Sequence, residues 1–239
     1  MGAYREDLAY IHHVGFGHFA RGAASGLIQI LARAGVSGTV CDLGCGTGIL
    51  ARALTDAGYV VEGFDLSQAM LALAKKEAPE ARFRRGSFLD VKLGRYEAVT
   101  AIGEVFNYVF DPRIKKSVLP KIFRRIHAAL RPGGVLLFDL AGPERARGTE
   151  RNLYEGDDWV LFVERARDLE RGELTRTMTI FRKHARYFRR SDETHTLRLY
   201  TPGDVASMLR ATGFRVRHLK SYGDQPLPRG LAGFLAVRD

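Results

Sequence analysis

The sequence predicts an α/β fold: a mainly parallel sheet flanked by helices, with an inserted antiparallel β-layer at about residues 150–200. Three observations carry this. Short apolar runs alternate with helical patterns from Thr39 to Leu140, which argues for βαβ units and a parallel sheet. Beyond Gly142 the helical pattern lapses, and strand-like runs rich in threonine, valine and aromatics are separated only by polar turns. Near the start, one apolar run passes into three alternating glycines and then a helix, the usual build of a ligand loop at a sheet edge.

Each element has a local reason. Residues 1–38 read as helical, with Leu27, Ile28, Leu31 and Ala32 at helical spacing before Gly35 and Gly38. Thr39–Leu43 is a buried strand, Ile49–Ala57 a helix closed by Gly58, and Tyr59–Phe64 a second strand. Ser67 is placed to cap a helix running through Lys76. Arg82–Phe83 opens a third strand and Ala98–Ile102 forms a fourth. Ile114–Leu130 is the clearest amphipathic helix, with Val118, Ile122, Ile126 and Leu130 at every fourth residue, and Val135–Leu140 follows as a fifth strand. Asp158–Glu164, Leu174–Phe188 and Thr194–Tyr200 are the strands of the inserted layer. Thr201-Pro202 starts a last helix that ends at Gly213, and Phe214–Lys220 and Leu231–Val237 complete the sheet. The 239 residues therefore form one domain, with 1–38 as an N-terminal helical lid and 150–200 as a β-layer over the site.

Composition narrows the class. With 46% apolar and 27% charged residues, a chain of this length buries a core without disulfides or metal. No apolar stretch is long enough to span a bilayer, and MGAYREDLAY carries acids where a signal peptide has its apolar core, so the expected compartment is the cytoplasm. Cys41 and Cys45 are too few for a framework, and an extended chain holds them beyond disulfide reach, so both read as structural. The net charge of +10 is spread from Arg82 to Arg238 and reads as a solvated surface, although Arg182–Arg190 is locally dense.

The chemistry sits in Val40-Cys41-Asp42-Leu43-Gly44-Cys45-Gly46-Thr47-Gly48 and in the acid that ends the next strand, Asp65. Glycine there permits a tight turn and a close approach of ligand to backbone. Asp65 is placed to accept from two ribose hydroxyls. Asp42 can orient the loop or a ligand's ammonium group; a carboxylate at that place would repel a pyrophosphate.

DLGCGTG, followed by VEGFDLSQAML and by Leu130-Arg131-Pro132-Gly133-Gly134, resembles the motifs of the class I S-adenosylmethionine-dependent methyltransferases, over roughly residues 38–140. The resemblance implies a Rossmann-like, seven-stranded sheet that binds S-adenosylmethionine and releases S-adenosylhomocysteine; no metal is expected, because no metal-ligand spacing is visible in the sequence. It implies that Gly44, Cys45 and Gly46 pass along the methionine and ribose, that Asp65 holds the ribose, and that Leu66 and Met70 pack near the adenine. Family members usually place an acid after the third strand; here Ser87 stands there, with the Phe88 amide beside it and Asp90 as the rival. The segment after the fourth strand, from Ile102 through Glu104 to Tyr108, lies by resemblance beside the sulfonium and the acceptor. Glu104 and Tyr108 are candidates for orienting the acceptor or taking its proton. Glu193 and His195 share one face of an inserted strand, opposite Arg198 and Tyr200, and His195 is a further candidate base. Tyr10-Ile11-His12-His13 is a second segment placed to close over the cofactor.

The expected activity is methyl transfer to a small-molecule acceptor, by N- or O-methylation. A nucleic-acid methyltransferase is the alternative, drawing on the net charge and on Tyr187 and Phe188 among arginines. Against it, Asn107-Tyr108 lacks the adjacent prolines of amino-directed DNA enzymes. A nicotinamide dehydrogenase fails on the loop spacing, and a regulator that binds the cofactor without transfer stays open. Oligomeric state is open too, with a homodimer through the inserted strands one arrangement.

Overall fold

The structure, a computed structural model, describes residues 4–239; positions 1–3 of the expected N-terminal helical segment lie outside the described residues. That segment forms two helices, α1 (Glu6–Phe16) and α2 (His18–Arg33). There follow β1 (Thr39–Leu43), α3 (Ile49–Asp56), β2 (Val60–Asp65), α4 (Gln68–Glu77), β3 (Arg82–Arg85), β4 (Tyr96–Ala101), α5 (Leu119–Ala129) and β5 (Leu130–Ala141). The inserted layer is β6 (Thr149–Gly156), β7 (Trp159–Asp168), β8 (Glu173–His184) and β9 (Tyr187–Arg198). The chain ends with α6 (Pro202–Arg210), β10 (Phe214–Leu219), a small hairpin of β11 (Ser221–Tyr222) and β12 (Gln225–Pro226), and β13 (Leu231–Arg238).

The main sheet has seven strands in the order β10-β13-β5-β4-β1-β2-β3, and only β13 runs against its neighbours. Strand order reverses beside β1, between the β1-β2-β3 half and the β4-β5 half. The carboxyl ends of β1 and β4 therefore border the crevice where such sheets take their ligands. Alternation along β5 feeds both faces: Leu136, Phe138 and Leu140 pack under α5 and α6, while Val135 and Leu137 pack under α2 and α3. The second sheet, β6-β7-β8-β9, is an antiparallel meander. Its inner face, with Trp159, Leu161, Val163, Met178 and Ile180, closes on Leu8 and Ile11 of α1.

Three expectations need correction. The amphipathic helix expected over Ile114–Leu130 begins only at Leu119, because Pro120 sits in its first turn and suits a helix start; Lys116–Val118 forms a 3-10 turn before it, and Ile114 is buried from the loop. Leu130 is already extended and pairs with Tyr96. The run expected as one strand over Leu174–Phe188 is two strands folded at Ala185-Arg186, where Ala185 takes φ 53°. The strand β6 was not foreseen, since it is a largely exposed edge with no apolar alternation to betray it. On β9, Glu193 and His195 do share a buried face, whereas Tyr200 lies past the strand end and is buried as well. Both cysteines are free and buried. No helix among the described residues is long and apolar enough to cross a membrane.

Candidate active site

The loop after β1 is shaped by three glycines in the left-handed region, Gly44, Gly46 and Gly48. Two of them are pinned by neighbours: a Cβ on Gly44 would meet Val105 at 2.7 Å, and one on Gly48 would meet the Ala74 backbone at 2.9 Å. Gly46 differs, for a Cβ there would meet nothing within 4 Å and would project into open space. Its amide donates to Asp65 Oδ2 at 3.0 Å, and the Ser67 amide donates to Asp65 Oδ1 at 2.8 Å. One carboxylate thus ties the glycine loop to the start of α4, which Ser67 caps by accepting from the Met70 amide as expected. Burial raises the Asp65 carboxyl above its ordinary range, and those amide bonds oppose the shift.

Asp42 is buried, with its Oδ1 accepting from Thr100 Oγ1 at 2.6 Å. Burial pushes its carboxyl up to about 7, the Thr100 bond pulls the other way, and the charge of Asp65 adds to the rise. A buried acid so poised suits a ligand that brings a cation.

A cavity opens beside the glycine loop, closed by Tyr4, by His12 of α1 and by the segment after β4. Gly44, Gly46, Asp65, Leu66, Met70, Phe88 and Ile102 line one half, and Tyr4, His12, Gly103, Val105, Tyr108 and Phe110 line the other. A smaller cavity shares His12, Gly44, Gly46 and Ile102 and continues to Asp42, Cys45 and Thr47. The sequence-predicted cofactor residues therefore converge, with one exception. Ser87 does not line the cavity; its hydroxyl accepts from the Leu89 amide and closes its own turn, leaving Gly86 and Phe88 at the wall. The rival, Asp90, is exposed and taken up by Arg113 at 2.7 and 2.9 Å.

At the other half, Gly103 (φ 94°) and Glu104 (φ 64°) form a left-handed turn. A non-glycine residue in that region is strained, and such strain concentrates at sites of function. The turn is held by Asp139 on β5, whose carboxylate accepts from the Gly103 amide at 3.0 Å, from the Glu104 amide at 2.6 Å and from the Tyr222 hydroxyl at 3.1 Å. The Glu104 side chain is buried between two guanidinium groups, accepting from Arg145 Nε at 2.5 Å and Arg176 Nη2 at 2.6 Å. Burial alone would raise its carboxyl; Arg176 and Arg145 outweigh that and hold it below the ordinary range. A carboxylate so engaged is a weak proton acceptor, which fits a structural anchor better than the base envisaged from the sequence.

Tyr108 bonds Tyr4 hydroxyl to hydroxyl at 2.7 Å, receives Arg176 Nη1 at 3.3 Å and stacks on Phe110 at 4.9 Å. His195 stands behind this aromatic wall: its ring contacts those of Tyr4 (4.7 Å) and Phe110 (5.0 Å), its Nε2 bonds Glu193 at 3.0 Å, and it does not line the cavity. Its expected role as the base loses its geometric footing, because the aromatics separate it from the space an acceptor would fill.

Sequence reasoning missed three contributors and placed a fourth, His12, only as part of the Tyr10-Ile11-His12-His13 segment. Asp139 had left a signal, an acid inside the apolar run Val135–Leu140. His12 lay in a doublet whose two faces could not be told apart, and the structure points His13 the other way, to Thr47 at 2.9 Å. Tyr4 and Arg176 left none, being 104 and 68 residues from Tyr108 in the chain. Among the described residues no group of three or more His, Cys, Asp or Glu is arranged to hold a metal.

This sheet order, with a glycine loop and an acid at its switch point, defines the class I methyltransferase fold. A family model described as a methyltransferase domain matches residues 16–219, and the chain belongs to that family. A solved S-adenosylmethionine-dependent methyltransferase from Clostridium acetobutylicum ATCC 824 has the same fold, with a TM-score of 0.81 at 19% identity over 96% of this chain and 97% of its own. So does the sugar N-methyltransferase KedS8 from Streptoalloteichus sp ATCC 53650, with a TM-score of 0.77 at 24% identity over 100% and 95% of the two chains. In sequence, the dTDP-3-amino-3,6-dideoxy-alpha-D-glucopyranose N,N-dimethyltransferase of Streptomyces fradiae is 32% identical over 102 residues, 42% of this chain and 38% of that protein.

Proposed function

We propose that this chain is an S-adenosylmethionine-dependent N-methyltransferase acting on a small amine, with an amino sugar the favoured acceptor class. The observation that carries this is the two-part cavity, acidic and glycine-lined at one end and aromatic at the other, with no free carboxylate among the described residues to serve as a base at its aromatic end. When bound, S-adenosylmethionine supplies a methyl group on a sulfonium, ready for in-line displacement. The chain's own part is to bind, orient and exclude water. Asp65 would hold the ribose hydroxyls, Asp42 the ammonium end through the smaller cavity, and Leu66, Met70 and Phe88 the adenine. Gly46 leaves room for the ligand to pass against the main chain.

An alcohol must shed its proton as it attacks, whereas a neutral amine does not. Glu104 is clamped by arginines, and burial raises the Tyr108 phenol above its ordinary range, so neither is a ready proton acceptor at neutral pH. That arrangement favours nitrogen over oxygen as the attacking atom. The names of the sugar-directed relatives agree with this choice. The nucleic-acid reading draws little from the structure, since Arg182 lies over the Tyr10 ring at 3.7 Å and Arg189 bonds Asp7, so both serve the fold. A cytoplasmic site of action belongs to the same proposal.

The test is transfer from radiolabelled S-adenosylmethionine to dTDP-3-amino-3,6-dideoxyglucose, to simple amino sugars and to their hydroxyl analogues. Label in the amines alone is expected. Label in the hydroxyl analogues, or in none of the compounds, would overturn the amine assignment.

A further inference from the structure

His12 lies on α1 at the junction of the two cavities, lining both together with Gly44, Gly46 and Ile102. Its Nδ1 is buried and has no hydrogen-bond partner. The other ionisable side chains at the main cavity are engaged: Asp65 by two backbone amides, Tyr4 and Tyr108 by each other. The groups facing His12 are the edge of the Tyr4 ring at 5.4 Å, His13 on its own helix, Arg176 from β8 and His195 from β9. Burial first, and then the neighbouring His13, Arg176 and His195, hold the imidazole down to about 4. It is neutral at physiological pH, with a lone pair to offer and little tendency to keep a proton.

We propose that His12 Nδ1 accepts a hydrogen bond from an N–H of the methyl-accepting amine and so turns the nitrogen lone pair toward the cofactor half of the cavity. The inference rests on the amine-directed reading above and adds to it the residue that aligns the nucleophile. Neutrality is the useful property. A carboxylate in this place would favour the ammonium form of the acceptor, which has no lone pair to attack with, whereas a neutral ring holds the reactive free amine without that bias. Alignment of this kind accounts for factors of about 100 in rate when it is lost.

Three proteins decide it, each as the full chain with S-adenosylmethionine and dTDP-3-amino-3,6-dideoxyglucose: wild type, His12→Phe and His12→Asn. Phenylalanine keeps a ring but removes the acceptor atom; asparagine returns an oxygen near the place of Nδ1. His12→Phe is expected to lower kcat by about 100-fold while its calorimetric affinity for S-adenosylhomocysteine stays at the wild-type value, and His12→Asn to recover much of the loss. As a readout independent of turnover, nitrogen NMR of the S-adenosylhomocysteine complex at neutral pH should show a neutral His12 with a bare Nδ1 that shifts when the amine probe is added. Wild-type kcat in His12→Phe, equal losses in both variants, or a protonated Nδ1 in the spectrum would overturn the inference. A wild-type protein that binds S-adenosylhomocysteine but methylates none of the amines would instead overturn the amine reading on which it rests.

Discussion

In the proposed function, Asp42 couples the fold to the ligand's ammonium end. In the free protein its carboxyl is poised near neutrality by burial, and only Thr100 donates to its side chain. Because the folded chain holds this proton more tightly than the unfolded one, stability from this group falls as pH rises from the ordinary carboxyl range toward about 7. A cation placed beside Asp42 reverses the shift and expels the proton. Calorimetry of S-adenosylmethionine binding near pH 7, run in buffers of differing ionisation heat, should therefore reveal proton release by the wild type and none by Asp42→Asn. Equal release by both would remove Asp42 from the ammonium site. Asp42 and Asp65 were legible as positions at the carboxyl ends of β1 and β2, because both lie in contiguous motifs. Glu104 was legible as a position but not as a role, since the arginines that neutralise it come from 41 and 72 residues further along. Ser87 misled for a local reason: its hydroxyl found a nearer partner in its own turn.

Helix α1 carries His12 at the cavity and is bonded to the elements around it. Asp7 on its first turn is buried and gathers Arg189 (2.5 and 2.9 Å), Arg182 (3.5 Å) and Ser191 (3.3 Å) from the β8–β9 hairpin. The Arg5 amide donates to Glu193 at 2.9 Å, and Ser67 Oγ donates to the Tyr4 carbonyl at 2.6 Å. The helix is thus tied both to the roof and to the cofactor loop, and in our reading it acts as the lid. Asp7→Ala leaves Arg189 and Arg182 without their shared anion, at a cost of about 1–3 kcal/mol. Hydrogen exchange should then quicken across Glu6–Phe16 while the amides of β5 keep their protection; unchanged exchange in α1 would show that apolar packing alone holds it. At this scale the sequence told helices from strands well where one face is buried, as in β1, β2 and α6. It failed where the signal is weak: at the exposed edge β6, at the short β11–β12 hairpin, and at the start of α5, where a proline decides against continued periodicity.

For the whole molecule, a seven-stranded sheet supplies the switch point, and the cavity lies there between the loops at the strand ends and the N-terminal residues Tyr4 and His12. The parallel half and the inserted layer were both foreseeable from the change of pattern after Gly142, because a shift from alternating helices and strands to strands alone marks a second layer. How the inserted sheet would hold the segment that carries Tyr108 was not foreseeable, since Tyr108 meets Leu197 and Val109 meets Thr196 only through long-range pairing. In the proposed function this cavity binds S-adenosylmethionine through Asp65 and the glycine loop. Calorimetric titration of the purified protein with S-adenosylmethionine and S-adenosylhomocysteine, with NADH as the control, tests it most directly. Micromolar binding of both adenosyl compounds and none of NADH is expected, weakened by about 1–3 kcal/mol in a folded Asp65→Ala variant. Absence of binding by the wild type, or undiminished binding by Asp65→Ala, would contradict it.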